Sequence, residues 1–479
     1  MNRVVDVKNL WLRYGDGDWV LKNISFSVDT EKTVLIIGRS GCGKTSFARA
    51  LTGVAQSIFG AEVKGEIWLC GKRLEEMGLR EIQSCVQMVN QDPYTHFLEP
   101  IPIDDLVSYA ETVYGESALE HVYRVAQAVG VKDLLERPIT SLSGGQLKRL
   151  SIAKALITNP SVLILDEPLM WLDDVDGTEV VLNTIRAARS AGKTVIVFEH
   201  RFKHLLDLAD EIYIMRRDSL EKLGKELFRD LNTDGSAQPT HSEYRYGGSS
   251  PASRCDVVLE LRDVWHRYDD SKWVLRGVSM EICRGDTIVV YGANGSGKST
   301  LLRILAGVVK PVKGVVKRYA DVVYVPQIPH LFITEDSIAE EINSICRHKK
   351  IGGNCIEYGT NIVKSFGYAD LGATPLNLSW GQVTRLSTVL AYIASKNGVI
   401  LLDEPFTGST YFEAHQIIEA LQKLESSAKI VTLSSKDYIP LIRGGKIYKI
   451  EDGVLKPFSY SENGIQNLVD LAKRIYGYE

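Results

Sequence analysis

Several things are scarce in this chain of 479 residues. No apolar run approaches the roughly 18 residues needed to cross a bilayer. The opening residues, Met1-Asn2-Arg3-Val4-Val5-Asp6, lack the apolar stretch of a signal peptide. No long basic block stands out, and the formal net charge is -4, so electrostatics give no argument for a nucleic-acid partner. The cysteines are few and scattered: Cys42, Cys70, Cys85, Cys255, Cys283, Cys346 and Cys355. None forms a C-x-x-C pair, which argues against a zinc or iron–sulfur site. The odd count and the absence of a leader favour free thiols in a cytoplasmic setting. Any membrane role must then come through partner subunits. The remaining composition, 44% apolar and 24% charged, is that of a soluble globular protein with room for more than one domain.

One stretch organises what is present. Gly38-Arg39-Ser40-Gly41-Cys42-Gly43-Lys44-Thr45 follows the apolar run Thr33–Ile37 and opens into Ser46-Phe47-Ala48-Arg49. Strand, glycine loop, Lys-Thr and helix make a phosphate-binding P-loop. The glycines let backbone N–H groups turn inward around phosphate oxygens, and the helix N-terminus adds partial positive charge. Lys44 is expected to reach the β- and γ-phosphates, and Thr45 to ligate Mg²⁺. Cys42 lies inside this nest. The positive field there favours a thiolate, but the simpler reading is an inert small residue that fits the loop.

The chain then repeats itself. Gly292-Ala293-Asn294-Gly295-Ser296-Gly297-Lys298-Ser299-Thr300 follows a second apolar strand, Thr287–Tyr291. Trp11-Leu12-Arg13-Tyr14 answers Trp265-His266-Arg267-Tyr268. Such self-similarity reads as two domains from one duplication, residues 1–231 and 257–479, joined by a Gly-, Ser- and Pro-rich linker at 232–256. Tyr14 and Tyr268 are candidates to stack on an adenine ring.

In the first domain, Val86–Gln91 is a strand ending in Gln91, whose amide can reach Mg²⁺ and its water, and Asp92-Pro93 breaks it. Residues 104–136 read as helical, with Leu106, Tyr109, Val113, Val122, Val125 and Val129 on apolar faces. Leu142-Ser143-Gly144-Gly145-Gln146 leads into another helix, whose N-terminus makes a second anion site. Val162-Leu163-Ile164-Leu165-Asp166-Glu167-Pro168 is a buried strand tipped by two acids. Burying both is costly without a cation, so Asp166 is assigned to Mg²⁺ and Glu167 to orient or deprotonate an attacking water. Thr194–Glu199 is a buried strand ending at His200, on the ligand-bearing edge of a parallel sheet. The second domain repeats the order with Gln327, Leu378-Ser379-Trp380-Gly381-Gln382 and Leu401-Leu402-Asp403-Glu404-Pro405. Counting back from Ile212-Tyr213 and Ile447-Tyr448 sets Ser435 opposite His200. Thr410 stands where the first domain has Asp173. A last segment, Gly464 to Tyr476, has helical apolar spacing.

These motifs in this order, over nearly the whole chain and twice, resemble the ATP-binding cassette ATPases. The resemblance implies two P-loop α/β domains, each a mainly parallel sheet with an antiparallel β part and a helical subdomain. It implies ATP and Mg²⁺ as cofactors, with Thr45, Gln91 and Asp166, and again Ser299, Gln327 and Asp403, around the metal. It also implies that cassettes pair head to tail; with both on one chain, the pair could form within one molecule. Lys44 would then face Ser379 and Gly381, while Lys298 would face Ser143, Gly144 and Gly145. The catalytic residues carried over are Glu167, His200 and Glu404. Asn90-Gln91-Asp92-Pro93 with Leu98-Glu99-Pro100, and Phe198-Glu199-His200-Arg201, look most like the duplicated ATPase of energy-coupling factor importers. Such ATPases drive membrane coupling and substrate-binding subunits for a vitamin or metal ion, from the inner face of the cell membrane. Tandem sugar-importer ATPases are the alternative within transport. A soluble tandem cassette on ribosomes or DNA is another class, though no cysteine-rich cluster domain or long charged arm supports it. Trp380 replaces a glycine of the pattern, and serine replaces histidine in the second domain. Unequal sites are expected: the Glu167 site hydrolyses and the Glu404 site mainly binds, against the reading that both turn over.

Overall fold

A computed structural model describes residues 3–39, 41–142, 144–170, 172, 177–231, 255–269, 272–350, 354–442 and 444–459. The described residues form two compact units, the first up to residue 231 and the second from residue 255. The segment 464–476, most of the expected linker, Ser40, Ser143 and Asp173 lie outside the described residues.

The first unit is built on a six-stranded sheet, ordered Leu220–Leu223, Glu211–Met215, Thr33–Gly38, Thr194–Phe198, Val162–Asp166 and Val86–Val89. The inner strands run parallel, and Thr33–Gly38, Val162–Asp166 and Thr194–Phe198 are buried at every position. A strand covered on both faces reads as a continuous apolar run, which is why these three were visible in the sequence. A separate antiparallel sheet of four strands holds Arg3–Arg13 between Leu21–Asp29 and Glu62–Leu69. Its apolar face joins one core with the helix Lys44–Leu51.

A helical part has its own core, centred on Leu106, Val122, Leu147 and Leu150. The stretch expected to be one helical region is two helices, Pro102–Tyr114 and Ala118–Val129, separated by a turn at Gly115, whose φ is 54°. Val113, expected on an apolar face, is 48% exposed, while Leu106 and Val122 are fully buried.

The second unit repeats the plan. Its six-stranded sheet runs Val322–Val325, Val399–Leu402, Ala428–Leu433, Thr287–Tyr291, Lys446–Glu451 and Val454–Pro457. A three-stranded antiparallel sheet holds Val257–His266 between Leu275–Cys283 and Lys313–Arg318. The helices Ile338–His348, Cys355–Ser365 and Trp380–Ser395 enclose a second helical core.

The cysteines depart from expectation. Three disulfides join Cys70 to Cys85, Cys255 to Cys283 and Cys346 to Cys355, leaving Cys42 as the free thiol. The partners are 15, 28 and 9 residues apart, so local spacing could not pair them. Cys255 falls in the expected linker, yet the disulfide ties it to the second unit. Its neighbour Asp256 accepts from Arg284 Nε at 2.7 Å.

Candidate functional site

In each unit the P-loop lysine and the acid-tipped strand meet at the carboxyl edge of the parallel strands. Gly38 must be glycine, because a Cβ there would lie 2.8 Å from the Met215 carbonyl oxygen. Gly43 caps the helix Lys44–Leu51 at φ 104°, a left-handed conformation that L side chains rarely adopt. Gly297 repeats it at φ 106°. Lys44 is buried and donates to the carbonyls of Gly38 (2.9 Å) and Arg39 (3.1 Å). Lys298 donates likewise to Gly292 (2.7 Å) and Ala293 (3.0 Å). Thr45, Ser46 and Ser299 lie half-buried at the starts of these helices; Gly41, Asn294 and Gly295 are exposed on the loops, and Thr300 is buried.

Cys42 is buried against this loop. Burial pushes its thiol pKa up and outweighs the pull of Lys44, so it is an inert thiol rather than a thiolate. The bland reading of Cys42 is the one the site supports.

Glu167 sits at φ 45° and Glu404 at φ 48°, so both units hold this glutamate in the same left-handed backbone region. Gln91 Nε2 donates to Glu167 Oε2 at 2.9 Å, and His200 Nδ1 lies 3.4 Å from Glu167 Oε1. Lys44 Nζ is 3.9 Å from the same oxygen. Burial works to raise the Glu167 pKa, but the charges of His200, Lys44 and Lys148 outweigh it and hold the carboxyl below its usual range. Burial opposes the charged form of His200 too, yet Glu167 beside it drives the imidazole pKa up. The result is a buried ion pair.

Asp166 is 1% exposed, and neither carboxylate oxygen has a hydrogen-bond partner. Burial, with the neighbouring Glu167 charge, pushes its pKa up to about 6. An orphaned, buried carboxylate beside a threonine at a P-loop is a donor set that suits a hard cation such as Mg²⁺. Asp403 differs. It accepts from Ser299 Oγ (3.0 Å), Thr432 Oγ1 (2.9 Å) and the Tyr324 hydroxyl (2.8 Å).

In the second unit, Lys298 Nζ is 3.1 Å from Glu404 Oε1. The backbone N–H and hydroxyl of Ser434 donate to Glu404 Oε2 at 2.9 and 3.0 Å. Burial pushes the Glu404 pKa up, the opposite direction to Glu167. This corrects the pairing of Ser435 with His200. Ile36 pairs with Phe198, and Val290 with Thr432, so the register sets His200 opposite Ser434. The connection to the next strand is one residue longer in the second unit, which misled the count back from the Ile-Tyr pairs. Ser435 instead caps a short helix, accepting from Asp437 N at 3.2 Å.

The signature segments behave unequally. The first helix spans Gly144–Ile157, with Gly144, Gly145 and Gln146 half-buried in its first turn. In the second, Ser379 caps Trp380–Ser395 in a box with Gln382. The Ser379 hydroxyl also donates to Glu413 Oε1 at 3.1 Å. That N-terminus, expected as an anion site, already faces a protein carboxylate. Gly381 is buried against Glu413, so a Cβ there would come 2.7 Å from the Glu413 side chain. Trp380 turns beside His330, ring centroids 5.4 Å apart. Thr410, opposite Asp173 in sequence, caps the helix Tyr411–Lys423. Gln327 is half-buried at the end of its strand. Tyr14 packs edge-on to Phe59 at 6.3 Å with its hydroxyl buried. Tyr268 is 42% exposed and bonds Thr300 at 3.2 Å.

Sequence reasoning missed three groups. Lys148, fully buried in the signature helix, donates to the carbonyls of Asn90 and Gln91, each at 2.8 Å. Glu199 accepts from the backbone N–H groups of His200, Arg201 and Leu169, fixing the turn that carries the histidine. Tyr324 and Thr432 hold Asp403. Lysine on the buried side of an apolar helix was the available signal for Lys148. The other two groups gave none.

Comparison with known proteins fits this geometry. Residues 21–170 and 275–407 match the sequence profile of the ABC transporter family. A putative ABC transporter ATP-binding protein of Treponema denticola is 25% identical over 97% of this chain and 98% of its own length. One from Sulfurisphaera tokodaii is 28% identical over 95% and 98%. Among solved structures, an RNase-L inhibitor superposes with a TM-score of 0.63 at 22% identity, covering 97% of this chain and 92% of its own. ABCE1, in a structure of ribosome-bound archaeal Pelota and ABCE1, gives 0.66 at 20% identity, covering 97% and 81%. Both likenesses concern the fold.

Proposed function

The chain belongs to the ABC transporter family, and on that premise we propose that it is the ATP-hydrolysing subunit of a membrane importer. The importer is of the energy-coupling factor type and carries a vitamin or metal ion. The observation that carries this reading is the near full-length likeness, with two P-loops, to putative ABC transporter ATP-binding proteins. Among the described residues no helix is long and apolar enough to cross a membrane, so integral coupling and substrate-binding subunits would supply the path. The protein would sit on the inner face of the membrane.

The two sites are unequal in this reading. In the first unit, Lys44 holds the phosphates, and Glu167, kept ionised beside His200, orients and deprotonates the attacking water. His200 then stabilises charge that develops on the γ-phosphate. Thr45, Asp166 and Gln91 would hold Mg²⁺, which supplies charge neutralisation on the phosphate oxygens when bound. In the second unit, Glu404 is drawn to Lys298 and Ser434, so the glutamate is engaged and has no imidazole beside it. That unit binds nucleotide and turns it over slowly.

The likeness of fold to ABCE1, described in one of its structures as ribosome-bound, supports a second reading, a soluble tandem ATPase on ribosomes. Copurification separates the two. Recovery with integral-membrane subunits is expected; stable recovery with ribosomes and not with membranes would replace the importer reading.

A further inference from the structure

The two acid-tipped strands end alike in sequence and differ in what meets the acid. Sheet register fixes the correspondence. Tyr324 pairs with Leu401 where Met88 pairs with Ile164, and Thr432 pairs with Val290 where Phe198 pairs with Ile36. A thioether and a phenyl ring thus occupy the sheet positions from which a phenol and a hydroxyl reach Asp403. Asp403 is 2% exposed and takes three hydroxyl donors; at Asp166, 1% exposed, Thr45 is the hydroxyl beside it and makes no close bond.

A buried carboxylate is tolerated when hydrogen-bonded or when paired with a cation. Hydrogen bonds to a charged group are the stronger kind, and Mg²⁺ demands near-octahedral placement of its ligands. A cation at Asp403 therefore competes with donors already in place, whereas at Asp166 it meets an unmet need. Thr432 also accepts the Glu404 N–H at 3.0 Å, which fixes its hydroxyl in the sheet.

We propose that Tyr324 and Thr432 hold Asp403 as a protein-satisfied carboxylate, so that the second cassette takes up a nucleoside triphosphate with little dependence on a divalent cation, while the first requires one. The inference rests on the reading that both units bind ATP, and it adds a cation-independent site to it.

The test is equilibrium binding of a fluorescent ATP analogue to the full chain, in Mg²⁺ and in EDTA. Lys44→Ala leaves the second P-loop as reporter, and Lys298→Ala leaves the first. EDTA should weaken binding to the Lys44→Ala chain less than about threefold, and to the Lys298→Ala chain at least about tenfold. Adding Tyr324→Phe and Thr432→Val to Lys44→Ala, which removes only the hydroxyl donors, should bring the loss in EDTA to about tenfold. Either hydroxyl variant alone should give an intermediate loss, should the double variant fold poorly. Equal losses in the two reporter chains, or no effect of the hydroxyl variants, would overturn the proposal. No binding by either chain in Mg²⁺ would overturn the ATPase reading with it.

Discussion

Asp166 and Asp403 occupy the same place in the two units, so the same substitution should shift stability in opposite directions. Asp166 is buried without a donor, and its pKa rises from 3.8 to about 6. A folded-state acid pKa above the unfolded value means the folded protein binds the extra proton, so stability falls as pH climbs from 3.8 through about 6. At neutral pH that cost is about 3 kcal/mol, from about two units of pKa at 1.36 kcal/mol each. Asparagine removes the charge but leaves a buried amide short of partners, which returns roughly 1–2 kcal/mol. Asp166→Asn should therefore stabilise the first unit by about 1–2 kcal/mol, raising its thermal midpoint by a few degrees.

Asp403→Asn instead loses the charge assistance of three hydroxyl donors. It should destabilise the second unit by about 2 kcal/mol or more, lowering the midpoint by roughly 4–8 °C. The assay is calorimetric melting of nucleotide-free protein in EDTA at pH 7.5 and 4.5. The gain from Asp166→Asn should shrink at the lower pH, where the wild-type carboxyl is already protonated. A loss equal to that of Asp403→Asn, or a gain independent of pH, would refute the reasoning.

Glu167→Gln should lower steady-state ATPase activity by about 10²-fold or more, while Glu404→Gln changes it little; the reverse would assign turnover to the second unit. Lys148→Met should cut kcat at least about tenfold and speed amide exchange at Asn90 and Gln91, because two carbonyls lose their charged donor; unchanged exchange would mean the tether does not hold the segment. Reducing the disulfides should lower the unfolding free energy by about 3 kcal/mol each, with the 28-residue loop of Cys255–Cys283 giving the largest single effect. A melting curve indifferent to reductant would show that the bridges do not form.

The elements that carry nucleotide chemistry were legible because their physics is local. A glycine loop between a buried strand and a helix reads the same in any protein, and two acids at the tip of an apolar run are conspicuous by their cost. What stayed hidden depends on contacts across the sheet. Tyr324 and Thr432 are ordinary strand residues, and only register shows that both point a hydroxyl at Asp403. His200 and Ser434 could not be matched by counting, since one extra residue in a connection leaves no trace in apolar spacing. The cysteines were read by compartment and spacing, and neither reports that two distant segments lie side by side.

The tether at Lys148 has a mechanical consequence. Lys154, two turns further along the same helix, donates to the His96 carbonyl at 2.6 Å and to Asp105 at 2.5 Å. Together the two lysines lash the segment from Asn90 to His96 to the signature helix at both ends, so in the first unit the two travel as one lever. The second unit ties its segment differently, by Ser387, which donates to the Pro329 carbonyl at 3.5 Å, and by Trp380 beside His330, with no lysine at either corresponding position. Thr384 turns its hydroxyl back to the Trp380 carbonyl at 2.9 Å, and Leu390 is buried among apolar neighbours. Neither position there offers a charged donor, so the first unit couples its segment to the signature helix through stronger bonds than the second does.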